Sequence, residues 1–191
     1  MKEEVSSMTI EQAFYFKIML ICGCSDELFE YIENTLNEQA SYEEVIVDLA
    51  FCGYNEKQML SVLESYIRQK KEKVDYDVII ESIFSFLRNK YLDSETSVDA
   101  LVKLMYRIGQ LSDLNEERTE PWFTMTIFDE FYEDAEKGYI DKDEYLEYLK
   151  SFIFERKYYN EIQFYKPVIQ QSKIKIYLQN LINKIKIWKG R

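Results

Sequence analysis

The run PWFTMTIFDEFYEDAEKGYIDKDEYLEYLKSFIFER, residues 121–156, decides the fold class. Pro121 suits the first turn of a helix, where its missing N–H would have had no partner, and Thr119 stands where a cap is expected. Apolar side chains then recur at Trp122, Met125, Phe128, Tyr132 and Ala135, in steps of three and four that share one helical face. Asp129, Glu130, Glu133, Asp134 and Glu136 are mostly turned away from it. Gly138 is the expected stop, because a left-handed C-terminal cap costs glycine little. Asp141 with Glu144 reads as a capping box opening a second helix, whose stripe is Tyr145, Tyr148 or Leu149, Phe152 and Ile153. The stretch is therefore two aromatic-faced helices joined by a tight turn at Lys137, Gly138 and Tyr139.

The same signals recur upstream. Thr9 and Gln12 form a capping box before IEQAFYFKIMLIC, a helix with Phe14, Ile18, Met19 and Cys22 in a wide apolar stripe, expected to be almost wholly buried and ended by Gly23. Ser25 caps a helix with Leu28, Ile32 and Leu36 inside and Glu27, Glu30, Glu33 and Glu38 outside. Ser41 with Glu44 reads as a third box, leading through Val45, Val47, Leu49 and Phe51 to a stop at Gly53. Asn55 with Gln58 opens the next helix, carrying Met59, Leu60, Leu63 and Ile67. The basic run RQKKEK at 68–73 reads as its solvated end. Asp77 opens a helix with Ile80, Ile83, Phe84, Leu87 and Tyr91, and Thr96 or Ser97 opens one with Leu101, Leu104, Met105 and Ile108, stopped by Gly109. The polar link at 109–120 is the expected mobile loop. Helix starts are unevenly spaced, which predicts an all-α, irregular bundle of about eight antiparallel helices; a loosely repeated stack of helical hairpins is the alternative.

Composition agrees with helices. The 191 residues hold only 5 glycines and 2 prolines, too little turn chemistry for an all-β fold, and 47% hydrophobic with 31% charged residues is globular. The net charge of −11 is unevenly spread. Residues 156–191 carry nine Lys or Arg against Glu161 alone, so this part is +8 and residues 1–155 are −19. An acidic body disfavours nucleic acid and favours basic proteins. The expected division is an acidic body, 1–166, and a basic segment, 167–191, in which Ile174, Leu178, Leu181, Ile182, Ile185 and Trp188 form one apolar face of an amphipathic helix. That helix docks on the body, on a partner or on an anionic membrane; its KIKI repeats also fit a terminal strand. Cys22, Cys24 and Cys52 are an odd set with no spaced partners, which points to a reducing cytoplasm, and the acidic amino terminus lacks the features of a signal peptide.

Chemistry has few footholds. Without histidine, Ser–His and Cys–His nucleophiles and mixed Cys/His zinc sites are excluded. Gly138, Ile140, Asp141 and Glu144 fit the second half of a calcium loop, but Glu133, Ala135 and Lys137 would occupy its leading ligand positions, a methyl and a cation where oxygens are needed. The enzymatic alternative is a magnesium-dependent nucleotide pyrophosphatase, with Glu130 and Glu133 facing Glu144 and Glu147 across the turn. Acidic pairs at this spacing arise readily among 35 acids, and no glycine-rich element for a phosphate lies beside them. A second alternative is a membrane-peripheral scaffold acting through residues 172–191.

In size, helical class, charge and the acidic aromatic run IFDEFYEDAEKGYIDKDEY, the chain resembles the small acidic helical immunity proteins of bacterial toxin systems, which sit on a toxin domain and block it. The resemblance covers the body to about residue 155. It implies a non-enzymatic, cytoplasmic protein without cofactor or metal, whose partner is a basic toxin domain. The contact residues it implies are Asp129, Glu130, Glu133, Asp134, Tyr139, Asp141, Asp143 and Tyr145.

Overall fold

The computed structural model describes residues 7–38, 43–111 and 120–159. Among them are eight α-helices and no strand: α1 (Ile10–Ile21), α2 (Asp26–Glu38), α3 (Glu44–Phe51), α4 (Glu56–Lys70), α5 (Tyr76–Leu92), α6 (Val98–Gly109), α7 (Trp122–Glu136) and α8 (Lys142–Glu155). None is long and apolar enough to cross a membrane. The 109–120 link falls largely, and the basic segment 167–191 wholly, outside the described residues, as do Thr119 and Ser41. The chain divides into two compact units, Met1–Thr126 and Ile127–Arg191. This division falls inside the expected body, within α7.

The first unit is organised around α1. Its capping box forms as expected, with Thr9 Oγ1 accepting from the Gln12 N–H and Gln12 Oε1 from the Thr9 N–H. Buried positions run from Ile10 and Ala13 through Tyr15, Phe16, Ile18, Met19 and Leu20. At 100° per residue these cover the whole circumference, so the helix needs cover on every side. It packs on α4 and α5; α3 packs on α4, α2 on α3 and α5 on α6. Contacts that skip two and three helices belong to a bundle, whereas a hairpin stack would join only neighbours.

The entrance to α1 is tied to three other helices. The fully buried Met8 donates its N–H to Glu43 Oε2 at 3.1 Å and accepts the Tyr66 hydroxyl at its carbonyl. Glu11 Oε1 accepts the Asp75 N–H at 3.2 Å, just where α5 begins. These bonds explain two departures from expectation. Residue 43, not Ser41, is the N-cap of α3, and its carboxylate makes no capping bond because it serves Met8. The cap of α5 is Asp75, not Asp77, whose N–H donates to Asp75 Oδ1 at 3.0 Å. Asn55 and Ser97 cap α4 and α6 as expected. RQKKEK is the solvated end of α4, with Lys71 as its left-handed cap.

Two further expectations are overturned. Phe51 is 85% exposed rather than part of the stripe of α3. The buried line of that helix is Val45, Ile46 and Leu49, and Phe51 lies two residues, or about 200°, beyond Leu49. Gly109 is not a left-handed stop like Gly23, Gly53 and Gly138. It is the buried last residue of α6, and a Cβ there would meet the Trp122 carbonyl oxygen at 2.7 Å and Thr126 Cγ2 at 2.8 Å. Glycine at 109 is what lets α6 approach the start of α7.

Gly109→Ala separates the two roles of glycine. In an open helix this change is favourable by about 1 kcal/mol; here overpacking against backbone should reverse the sign, giving a loss of ~1–3 kcal/mol in urea unfolding. A gain in stability would mean that the approach is loose.

Candidate functional site

The surface singled out by sequence lies in the second unit, on the end of α7 from Ile127, the turn and α8. Large rings hold these helices together. Phe128 meets Tyr145 edge-on, with ring centroids 6.1 Å apart, and Phe152 at 5.2 Å; Tyr132 lies 5.9 Å from Tyr145. The Tyr145 hydroxyl donates to the Phe128 carbonyl at 3.3 Å, which satisfies a polar atom taken inside. Burial, then the nearby Tyr132 and Asp129, push that hydroxyl far above the ordinary tyrosine range.

The turn is built by backbone. Gly138 adopts φ +75°, its N–H donates to the Ala135 carbonyl, and the Tyr139 N–H reaches back to the Asp134 carbonyl at 2.8 Å. This crossed pair of bonds closes α7 in a Schellman arrangement. Tyr139 is left projecting, 60% exposed. Asp141 then caps α8, its Oδ1 accepting from the N–H groups of Asp143 at 2.9 Å and Glu144 at 3.1 Å.

Seven of the eight expected contact residues are at least partly accessible. Glu130, Glu133, Tyr139, Asp141 and Asp143 are exposed, and Asp129 and Asp134 are half-buried. Tyr145 is 2% exposed, so its place in the apolar stripe of α8 stands and its place in a contact surface does not. The acids differ in freedom. Glu133 pairs with Lys137 at 2.8 Å, and that ammonium holds its carboxyl below the usual range. Glu136 pairs with Lys142 at 2.8 Å, and Asp141 is committed to its cap. Between residues 129 and 143 stand seven carboxylates and two lysines, a net excess of negative charge around an exposed tyrosine.

The structure does not assemble the expected alternatives for metal chemistry. Among the described residues, which include Glu130, Glu133, Glu144 and Glu147, no group of three or more Cys, Asp or Glu is placed to hold an ion. The calcium-loop letters have local uses instead: Lys137 neutralises Glu133, Gly138 makes the turn and Asp141 makes the cap. Sequence reasoning also missed an exposed aromatic pair, Phe51 and Tyr54, 85% and 86% exposed at the turn between α3 and α4. Its signal was available, since position 51 is out of phase with Val45 and Leu49. Comparisons with protein-family models, with curated proteins and with solved structures find no match for this chain.

Two substitutions test whether the surface is framed as described. Asp141→Ala should cost about 1 kcal/mol through loss of the α8 cap. Tyr145→Ala should cost ~3–5 kcal/mol, as for a large ring removed from a packed core. Chemical denaturation measures both, and a negligible effect at Tyr145 would return that residue to the surface.

Proposed function

We propose that this chain is a non-enzymatic binding protein that recognises a basic protein through the acidic, tyrosine-bearing end of the α7–α8 hairpin, and that it neutralises a basic toxin domain as small acidic immunity proteins do. The observation that carries the reading is the exposed cluster of Glu130, Glu133, Tyr139 and Asp143, with Asp129 and Asp134 at its edge, on a rigidly capped turn. Such a surface steers a cationic partner by its field and competes with the polyanion that partner would otherwise hold. Tyr139 supplies contact area and a hydroxyl at small entropic cost, because the two backbone bonds beneath it already fix its position. The three free cysteines suit a reducing cytoplasm as the place of action.

Glu130 and Asp134 are the informative pair, four residues apart on one face of α7. Among the described residues neither makes the short lysine contact that Glu133 makes, although Lys137 also lies in the field of Asp134. The basic protein retained from lysate of the native source on immobilised full-length chain would be purified. Its association would then be timed against the unchanged chain and against Glu130→Lys with Asp134→Lys. Association should slow by about tenfold or more at low salt, and its salt dependence should flatten. An unchanged rate and salt slope, or a column that retains nothing, would remove this surface from the account.

A further inference from the structure

The first unit carries a different surface that fits a basic partner. A groove of about 480 Å³ runs between α3 and α4, with Glu43, Glu44 and Asp48 on one side, Val45 and Val62 as its apolar part, and Tyr66. No lysine or arginine stands among the described residues that line it. Beyond the groove, α3 ends in the turn that projects Phe51 and Tyr54. Tyr54 is exposed without being loose, because its ring meets Phe29 edge-on at 5.1 Å. Gly53, at φ +56°, reverses the chain between them.

We infer that the α3–α4 groove and its aromatic turn form a docking surface for an extended cationic segment of a protein partner, with lysine or arginine side chains among the three carboxylates and apolar side chains on Phe51 and Tyr54. The chain itself shows a cation held beside the groove. Lys70 Nζ sits 5.0 Å over the Tyr66 ring, and Tyr66 first, with Glu43 further off, holds that ammonium above its ordinary range. The body of a second copy is a poor occupant, because residues 1–155 would bring −19 against these carboxylates, and an anionic lipid surface is repelled for the same reason. An apolar partner alone would desolvate Glu44 and Asp48 without pairing them. A segment that alternates cationic and apolar side chains satisfies both halves at once.

The inference rests on the reading of the chain as a binder of basic proteins, but places the contact on other residues. The test uses the full-length chain and a fluorescent synthetic peptide of alternating lysine and leucine as probe, titrated by anisotropy at low salt. Glu44→Gln with Asp48→Asn should weaken binding about tenfold, and Phe51→Ser with Tyr54→Ser should do so by a similar factor, about tenfold, as for aromatic anchors. Asp77→Asn with Glu81→Gln, an exposed pair on α5 outside both surfaces, should stay within about twofold, the level of a rim charge, and Glu130→Gln with Asp134→Asn, on α7, reports separately on the hairpin surface. All the altered side chains of the first unit are exposed, and thermal melts confirm that each variant is folded. Absence of binding to the unchanged chain overturns the inference, as does undiminished binding by the α3 and turn variants. A loss confined to the α7 pair overturns it too, while leaving the α7–α8 surface as the contact; equal losses at every carboxylate pair, with none at the aromatic pair, would mean binding by net charge alone, and would also overturn it.

Discussion

A helix that is apolar around its whole circumference cannot stay in water, and α1 is such a helix. Each of its large side chains contributes ~1.5–3 kcal/mol when fully buried, but only if other helices close over it from every side. The order of the first unit follows from that demand. α4 and α5 flank α1 although they come much later in the chain; α3 then packs on α4 and α6 on α5, while α2 packs on α3 and meets α1 directly through the rings of Tyr31 and Phe16. Polar bonds fix the register that apolar packing alone leaves loose. Met8 is bound at both its N–H and its carbonyl, and Glu11 holds the first turn of α5, so the start of α1 is fastened to α3, α4 and α5 at once.

The second unit solves the same problem with different material. Phe128, Tyr145 and Phe152 fill the space between α7 and α8, with Phe131 and Tyr159 stacked beside them at 6.0 Å. Rings of this size bury much apolar area per residue, and offset or edge-on geometry adds to it. The hydroxyl that Tyr145 takes inside finds the Phe128 carbonyl. Because the interior is held by rings, the outer faces of the two helices are free to be acidic, and lysines at 137 and 142 relieve only part of the repulsion.

Both acidic surfaces depend on how helices end rather than on how they run. On the hairpin, Gly138 and the Asp141 cap place Tyr139 in solvent among carboxylates. At the α3–α4 turn, Gly53 and the Asn55 cap do the same for Phe51 and Tyr54. A capped helix end holds a side chain in place without burying it, and a protein that binds by preorganised contacts needs that combination.

The helices, most of their caps and the acidic hairpin were legible in the sequence, because capping chemistry and the 3.6-residue period act over a few residues. Thr9 with Gln12, Asn55, Ser97, Asp141 and the left-handed glycines at 23, 53 and 138 were readable for that reason. What the sequence could not fix was the outcome of long-range competition. Glu43 caps nothing because Met8, 35 residues away, takes its carboxylate. Gly109 looked like a stop and is a point of close approach, which depends on where Trp122 and Thr126 lie. Tyr145 had signals for both core and surface, and burial against Phe128 decided between them. The sequence by itself determined an all-α chain with a strongly acidic body. Tertiary structure alone decided that Glu43 serves Met8 rather than a cap, that Gly109 is a point of close approach and that Tyr145 lies inside, since those depend on neighbours that only folding brings together.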